Sequence, residues 1–189
     1  MNSALKIRGG YITRRQLPDL AAYTQLLQQV KSGELVRLKA GVYAKPEALA
    51  DTMIHLKKVV PGGILCLYSA WSHYELTVQI PPAFCVAVKR GRKLVLPEYP
   101  PIKLYRVSDS FFQLGLVCTR VGNYIVPIYD IERCVCDALR YRNKIGIETS
   151  SEILRNYLSR PDCHLDKLHN YAKILRVDTL LSRYLEIAL

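Results

Sequence analysis

A chain of 189 residues, half of them apolar, can bury a sizeable core; this excludes a disordered chain and leaves one domain or two small ones. Ten Gly and ten Pro are ordinary values and exclude a fibrous or low-complexity class. The 27 Lys and Arg outnumber the 16 Asp and Glu, for a formal net charge of +11. The excess is graded along the chain. There are ten bases against four acids over residues 1–60, seven against three over 61–120, and ten against nine over 121–189. The first third is where a polyanion is expected, although a solvated basic surface gives the same balance.

Lys6 and Arg8 are followed by no apolar run, so no secretory signal is expected. The uncharged stretch from Val59 to Tyr74 is short for a bilayer and is broken by Pro61-Gly62-Gly63. The expectation is a cytoplasmic protein without a membrane partner.

In chain order, residues 2–8 read as a first helix, stopped by Gly9-Gly10. Thr13 is placed to cap a second short helix, Arg14 to Leu17. After the Pro18-Asp19 turn, Ala21 to Ser32 has helical periodicity. Ala22, Leu26, Leu27 and Val30 lie on one face, and Tyr23, Thr24, Gln25, Gln28 and Lys31 on the other. Val36 and Leu38 then alternate with Arg37 and Lys39, Lys39-Ala40-Gly41 turns, and Val42-Tyr43 resumes, which predicts a hairpin. Three short helices followed by a hairpin is the order of a winged helix-turn-helix domain, over residues 1–46. A connecting helix is expected over 47–60.

From Pro61 onward the pattern changes. Ile64 to Leu76 reads as a buried helix carrying Trp71. Phe84 to Val88, Ile102 to Arg106, Gly115 to Val121 and Tyr124 to Tyr129 read as strands, the last two joined by a Gly122-Asn123 turn. Asp130 is placed to cap a helix through about Tyr141. Thr149-Ser150-Ser151-Glu152 has the form of a capping box opening another helix, and Pro161-Asp162 opens a third. Leu180, Leu181, Tyr184 and Leu185 define a last helix. The fold class expected is α+β: an N-terminal winged helix-turn-helix, then a C-terminal α/β domain with a small sheet and several helices over 61–189.

The third helix of a winged helix enters the major groove, whose edge pattern distinguishes all four base pairs. Tyr23, Thr24, Gln25 and Gln28 are the candidates for base contacts. Arg14, Arg15, Lys31, Arg37, Lys39 and Lys45 are the candidates for phosphate contacts. Two further runs form an auxiliary basic surface for DNA or a protein partner: Lys89, Arg90, Arg92 and Lys93, and then Arg140, Arg142 and Lys144. A solvated hairpin tip accounts equally well for the first run, and cations at a helix C-terminus suit the dipole in the second.

Catalysis finds little support. There is no phosphate-binding Gly-rich loop, no Gly-x-Ser-x-Gly elbow and no paired-aspartate strand for two metals. His73 and Glu75 stand two apart on a helical segment and face different ways. The six cysteines include no Cys-x-x-Cys pair. Cys134 and Cys136 with Cys163, His164 and His169 lack the usual zinc spacing, so neither metal nor cofactor is expected.

Six segments, taken in succession, resemble AbiEi, the antitoxin of AbiE bacterial abortive-infection toxin–antitoxin systems. They are Gly33 to Tyr43 (GELVRLKAGVY), Pro61 to Ala70 (PGGILCLYSA), Gln79 to Pro82 (QIPP), Val86 to Arg92 (VAVKRGR), Tyr129 to Arg133 (YDIER) and Leu139 to Gly146 (LRYRNKIG). The resemblance implies a winged helix that binds double-stranded DNA at inverted repeats of its own promoter and represses it. It also implies a C-terminal domain that counteracts a partner toxin resembling a nucleotidyltransferase. Where it implies several arginines on the third helix, this chain has Lys31 as the single base. The alternative is a toxin-neutralising protein-interaction module that does not read DNA.

Overall fold

The computed structural model describes residues 11–45, 59–79, 83–96, 101–121 and 124–188, without the side chains of Tyr11, Leu38, Lys39, Val121, Tyr124, Ile187 and Ala188. The expected helix over 2–8, residues 47–58 of the connecting helix expected over 47–60, and the Gly122-Asn123 turn lie outside the described residues. The fold is α+β, with two sheets and, among the described residues, seven α-helices. It divides into two compact units, Met1–Val60 with Lys93–Ile102 and Pro61–Arg92 with Lys103–Leu189.

In the first unit, β1 (Tyr11–Thr13) leads into a 3₁₀ turn, Arg14–Gln16, then α1 (Leu20–Lys31), β2 (Val36–Lys39) and β3 (Val42–Ala44). The sheet order is β1-β3-β2, antiparallel throughout. The Gln16 side-chain oxygen accepts from the Thr13 N–H (2.8 Å) and hydroxyl (3.0 Å), which ties off the 3₁₀ turn. Asp19, read from sequence as part of a turn, is the cap of α1: its carboxylate accepts from Ala22 N–H at 2.7 Å. The core is Ile12, Leu26, Leu35 and Tyr43, with Leu17, Tyr23 and Val30 packed against it. The inward stripe of α1 is therefore Tyr23, Leu26 and Val30, and the expected inward Leu27 is exposed. The aromatic ring removes more apolar surface from water than a leucine at the neighbouring register, so the helix is rotated toward Tyr23.

The second unit holds a five-stranded sheet in the order β6-β5-β4-β8-β7. Its strands are β4 (Ile64–Leu65), β5 (Phe84–Lys89), β6 (Ile102–Val107), β7 (Leu116–Val121) and β8 (Tyr124–Tyr129). The helices are α2 (Leu67–His73), α3 (Asp109–Phe112), α4 (Ile131–Ile145), α5 (Ile147–Leu158), α6 (Leu165–Leu175) and α7 (Asp178–Ala188). Ile64 and Leu65 are not helical as expected. They are the central strand, antiparallel to β5 and parallel to β8, and both are buried. A short apolar run buried on both sides carries no periodicity that separates strand from helix. The chain leaves this strand through Leu67, at φ +46°, a conformation leucine rarely adopts.

The expected β7–β8 hairpin pairing is present, from Leu116↔Tyr129 to Val121↔Tyr124. Asp130 caps α4 as expected, accepting from Arg133 N–H at 3.0 Å. The Thr149–Glu152 capping box is overturned. Gly146, at φ +95°, ends α4 and starts α5 in one residue, so Thr149 to Glu152 lie inside the helix. The buried Ser150 hydroxyl lies 3.0 Å from Ala138 O and 3.1 Å from Gly146 O, fastening α5 to α4 instead of capping it. Pro161-Asp162 is a turn, clamped by two bonds from Arg160 to Asp162 (2.8 and 3.0 Å), and α6 begins only at Leu165. Trp71 is buried and donates to Cys134 O at 2.9 Å, which joins α2 to α4.

The tightest approach surrounds Arg133. Its side chain is 2 % exposed and its Nε lies 3.1 Å from Asp137. Nη1 donates to Phe111 O (2.8 Å) and Leu114 O (3.1 Å), and the guanidinium lies 4.4 Å from the Tyr129 ring centroid. Gly115, at φ +74°, closes the loop against it; an added Cβ would stand 2.7 Å from Arg133 Cβ and 2.8 Å from Asp130 Oδ1. Gly115→Ala is therefore expected to cost about 2–4 kcal/mol, from left-handed strain plus overpacking. Gly91→Ala, at φ +83° with nothing within 4 Å, is expected to cost about 1 kcal/mol. Urea unfolding of the two variants checks the difference.

Candidate functional site

The exposed part of α1 and the β2–β3 hairpin carry the residues expected to meet DNA. Arg14 is exposed, with its guanidinium 4.7 Å from the Tyr23 ring centroid, and its N–H donates to Gly41 O at 2.9 Å. That bond joins the 3₁₀ turn to the hairpin tip. Arg15, Thr24, Gln28, Lys31, Arg37 and Lys45 are exposed. Thr24 donates its hydroxyl to Leu20 O at 3.0 Å, leaving its oxygen as an acceptor. Lys39 is placed by backbone only, opposite Val42 across a bulge. Two residues differ from expectation. Tyr23 is half-buried on the core, beside Tyr43, whose hydroxyl is pushed up by burial and by Tyr23. Gln25 is half-buried too. The side chains of α1 that stay fully polar and exposed are thus Thr24, Gln28 and Lys31.

In the second unit, the two basic runs separate by role. Lys89 lies 3.8 Å from Asp109 and is partly neutralised. Arg92 is half-buried, and its carbonyl accepts from Arg106 at 2.9 Å. Lys93 belongs to the other unit. Arg142 turns back on its own helix, to Leu139 O at 3.3 Å, and Lys144 lies 5.6 Å from the Tyr141 ring centroid. Arg90 and Arg140, far apart in sequence, meet at one cavity of about 40 Å³ with Arg106, Arg133, Asp137 and Tyr141. Arg106 and Arg133 were not singled out from sequence. Each stands outside a dense charge run, and only the alternation of β6 and the register of α4 bring them to the same place.

A second polar cluster ties α4 to α6. Asp130 Oδ2 accepts from Tyr171 (3.0 Å) and pairs with Lys167 (3.0 Å); Lys167 also pairs with buried Glu132 at 2.8 Å. Tyr157 donates to Glu132 at 3.3 Å and accepts from His164 N–H at 2.8 Å. Burial works to lower the Lys167 pKa, but the two carboxylates overcome it and hold the ammonium above the usual lysine range. This arrangement links helices; every acid in it is matched by the lysine or a tyrosine.

Burial pushes up the thiols of Cys66, Cys85, Cys134 and Cys136, which favours the protonated form. Cys118 is exposed and Cys163 half-buried. His73 is half-buried, shifted down by burial, and packs edge-on to Tyr74. Among the described residues no group of three or more His, Cys, Asp or Glu is arranged to hold a metal ion. Among them no helix is long and apolar enough to cross a membrane. Comparison with known protein families and with curated proteins finds no match to this chain.

Lys167→Gln leaves buried Glu132 without its cation. With Lys167 itself 42 % exposed, the expected loss is about 1–3 kcal/mol, or roughly 2–4 °C in Tm per kcal/mol. The folded lysine titrates above its unfolded value of about 10.4, so the contribution is complete below that pH and is lost as pH rises through the folded value. The Tm gap between wild type and variant is expected to be constant from about pH 7 to 9 and to narrow above about pH 10.5. Thermal melts across that range check it.

Proposed function

We propose that this protein is a cytoplasmic DNA-binding antitoxin that represses its own promoter, without catalysis. In this reading the first unit is a winged helix-turn-helix, and the second unit counteracts a nucleotidyltransferase-like toxin. One observation carries the reading: a 3₁₀ turn, an Asp19-capped helix and a hairpin follow one another, and the sheet closes in the order β1-β3-β2. That order puts α1 and the hairpin on the same small core, with Arg14 stitched to the hairpin turn. The resemblance of Gly33 to Tyr43 and of the later segments to AbiEi supports the same assignment.

On this account α1 enters the major groove. Gln28 is the principal base reader, through the paired donor and acceptor of its amide, and Thr24 offers a hydroxyl oxygen. Lys31, Arg37 and Lys45 lie at phosphates on either side, and Arg14 and Arg15 at the helix entry. Tyr23 and Gln25 serve the fold more than the DNA. Repression follows from occupancy of inverted repeats, with no cofactor. The basic residues left exposed on the second unit are available to a toxin surface.

The test is fluorescence anisotropy of the full chain on the DNA upstream of its gene, against a scrambled duplex of equal composition. The upstream duplex is expected to be preferred, and Gln28→Ala with Arg37→Ala is expected to abolish the preference. With about five phosphates neutralised, a fourfold rise in salt is expected to weaken binding several hundred-fold. Equal weak binding to both duplexes overturns the operator reading and favours a module that acts on protein alone.

A further inference from the structure

Arg90 and Arg140 fall in the runs read above as an auxiliary basic surface, but the cavity they share with Arg106 and Arg133 in the second unit has a use that neither reading specifies. Four arginines, Arg90, Arg106, Arg133 and Arg140, line it, against one acidic residue, Asp137. Asp137 is already engaged by Arg133 at 3.1 Å. Among the described residues Arg90, Arg106 and Arg140 form no ion pair with any carboxylate; Arg106 bonds a backbone carbonyl, and Arg140 lies 5.3 Å from the Phe111 ring centroid. Like charges collected at one concavity repel, so the arrangement is stabilised by an anion.

Size selects the anion. A water needs about 10–15 Å³, so about 40 Å³ admits a group the size of a few waters, which a phosphoryl group is. A drug-sized ligand needs several hundred Å³. Guanidinium forks match phosphoryl oxygens bidentately, and several forks suit a dianion better than a monoanion. A phosphodiester carries one charge and a terminal phosphomonoester up to two, so an arginine cluster with one carboxylate favours the monoester or the free ion. Buried Arg133, held by three hydrogen bonds, gives the cavity a fixed wall, while Arg90, Arg106 and Arg140 are exposed and, among the described residues, carry no competing carboxylate.

We infer that this cavity is a binding site for a phosphoryl dianion, as free phosphate or a terminal phosphomonoester. The inference stands apart from the DNA reading, because its residues lie in the second unit and the operator readers in the first. Isothermal titration of the full chain with inorganic phosphate at constant ionic strength tests it. A saturable isotherm is expected, at least tenfold weaker in Arg106→Gln and in Arg140→Gln, and unchanged in Arg120→Gln, an exposed arginine of β7 that does not line the cavity. Thermal melts confirm that each variant is folded, and Arg90→Gln serves should one of them fail.

Competition then separates the sources. A 5′-phosphorylated dinucleotide that displaces phosphate, while its 5′-hydroxyl counterpart does not, identifies a terminal monoester; phosphate binding that neither displaces identifies the free ion. Absence of a saturable isotherm overturns the inference, as do equal loss in Arg120→Gln and equal competition by the 5′-hydroxyl dinucleotide.

Discussion

A buried guanidinium organises the second unit. An arginine in a protein interior costs several kcal/mol unless its charge is paired and its N–H groups are bonded. Arg133 is paired and bonded through Nε and Nη1 with groups from separate places: Asp137 one turn along α4, the carbonyls of Phe111 in α3 and Leu114 just after it, and the face of Tyr129 at the end of β8. These partners are not interchangeable. Asp137 moves with α4, but moving α4 against β8, or opening the loop at Gly115, strips the buried guanidinium of its carbonyl acceptors or of the Tyr129 face. The penalty for error is what gives the unit a single arrangement.

Asp130 extends that constraint outward. One carboxylate oxygen caps α4 through the Arg133 N–H, and the other holds Tyr171 and Lys167 of α6. The start of α4 is thereby fixed to strand, loop and helix together. Asp137 gives α4 a second consequence. Burial raises its carboxyl pKa, opposed by Arg133, and the charge of Arg140 one turn on reaches it too. The same helix that seals the core thus carries arginines to the cavity surface.

Much of this was legible in sequence where a local rule acts alone. Asp130 preceding an apolar-periodic run announces a cap, and the alternation from Leu116 to Tyr129 announces a hairpin. The β2–β3 hairpin is equally plain in Val36 to Tyr43. Legibility fails where tertiary burial decides. Ile64-Leu65 looks like the first turn of a helix until β5 and β8 are present to flank it. Thr149 to Glu152 has the composition of a cap, yet Gly146 has already started the helix and Ser150 is turned to Ala138. Tyr23 has a polar tip that periodicity assigns outward, and its ring is needed by a small core. In the cavity, Arg90 and Arg140 were noticed because each belongs to a dense basic run. Arg106 and Arg133 are single bases in sequence, and only chain topology gathers the four.

The two units present separate chemistries, a polar helix face beside a basic hairpin in one and an arginine-lined cavity in the other. The central claim is that the first of these reads DNA. Nuclear magnetic resonance of the isotopically labelled full chain, titrated with the upstream duplex, tests it at residue level. Amide shifts concentrated on Thr24, Gln28, Lys31 and the β2–β3 hairpin, and absent with the scrambled duplex, are the predicted result. Shifts confined to the second unit, or identical with both duplexes, contradict it.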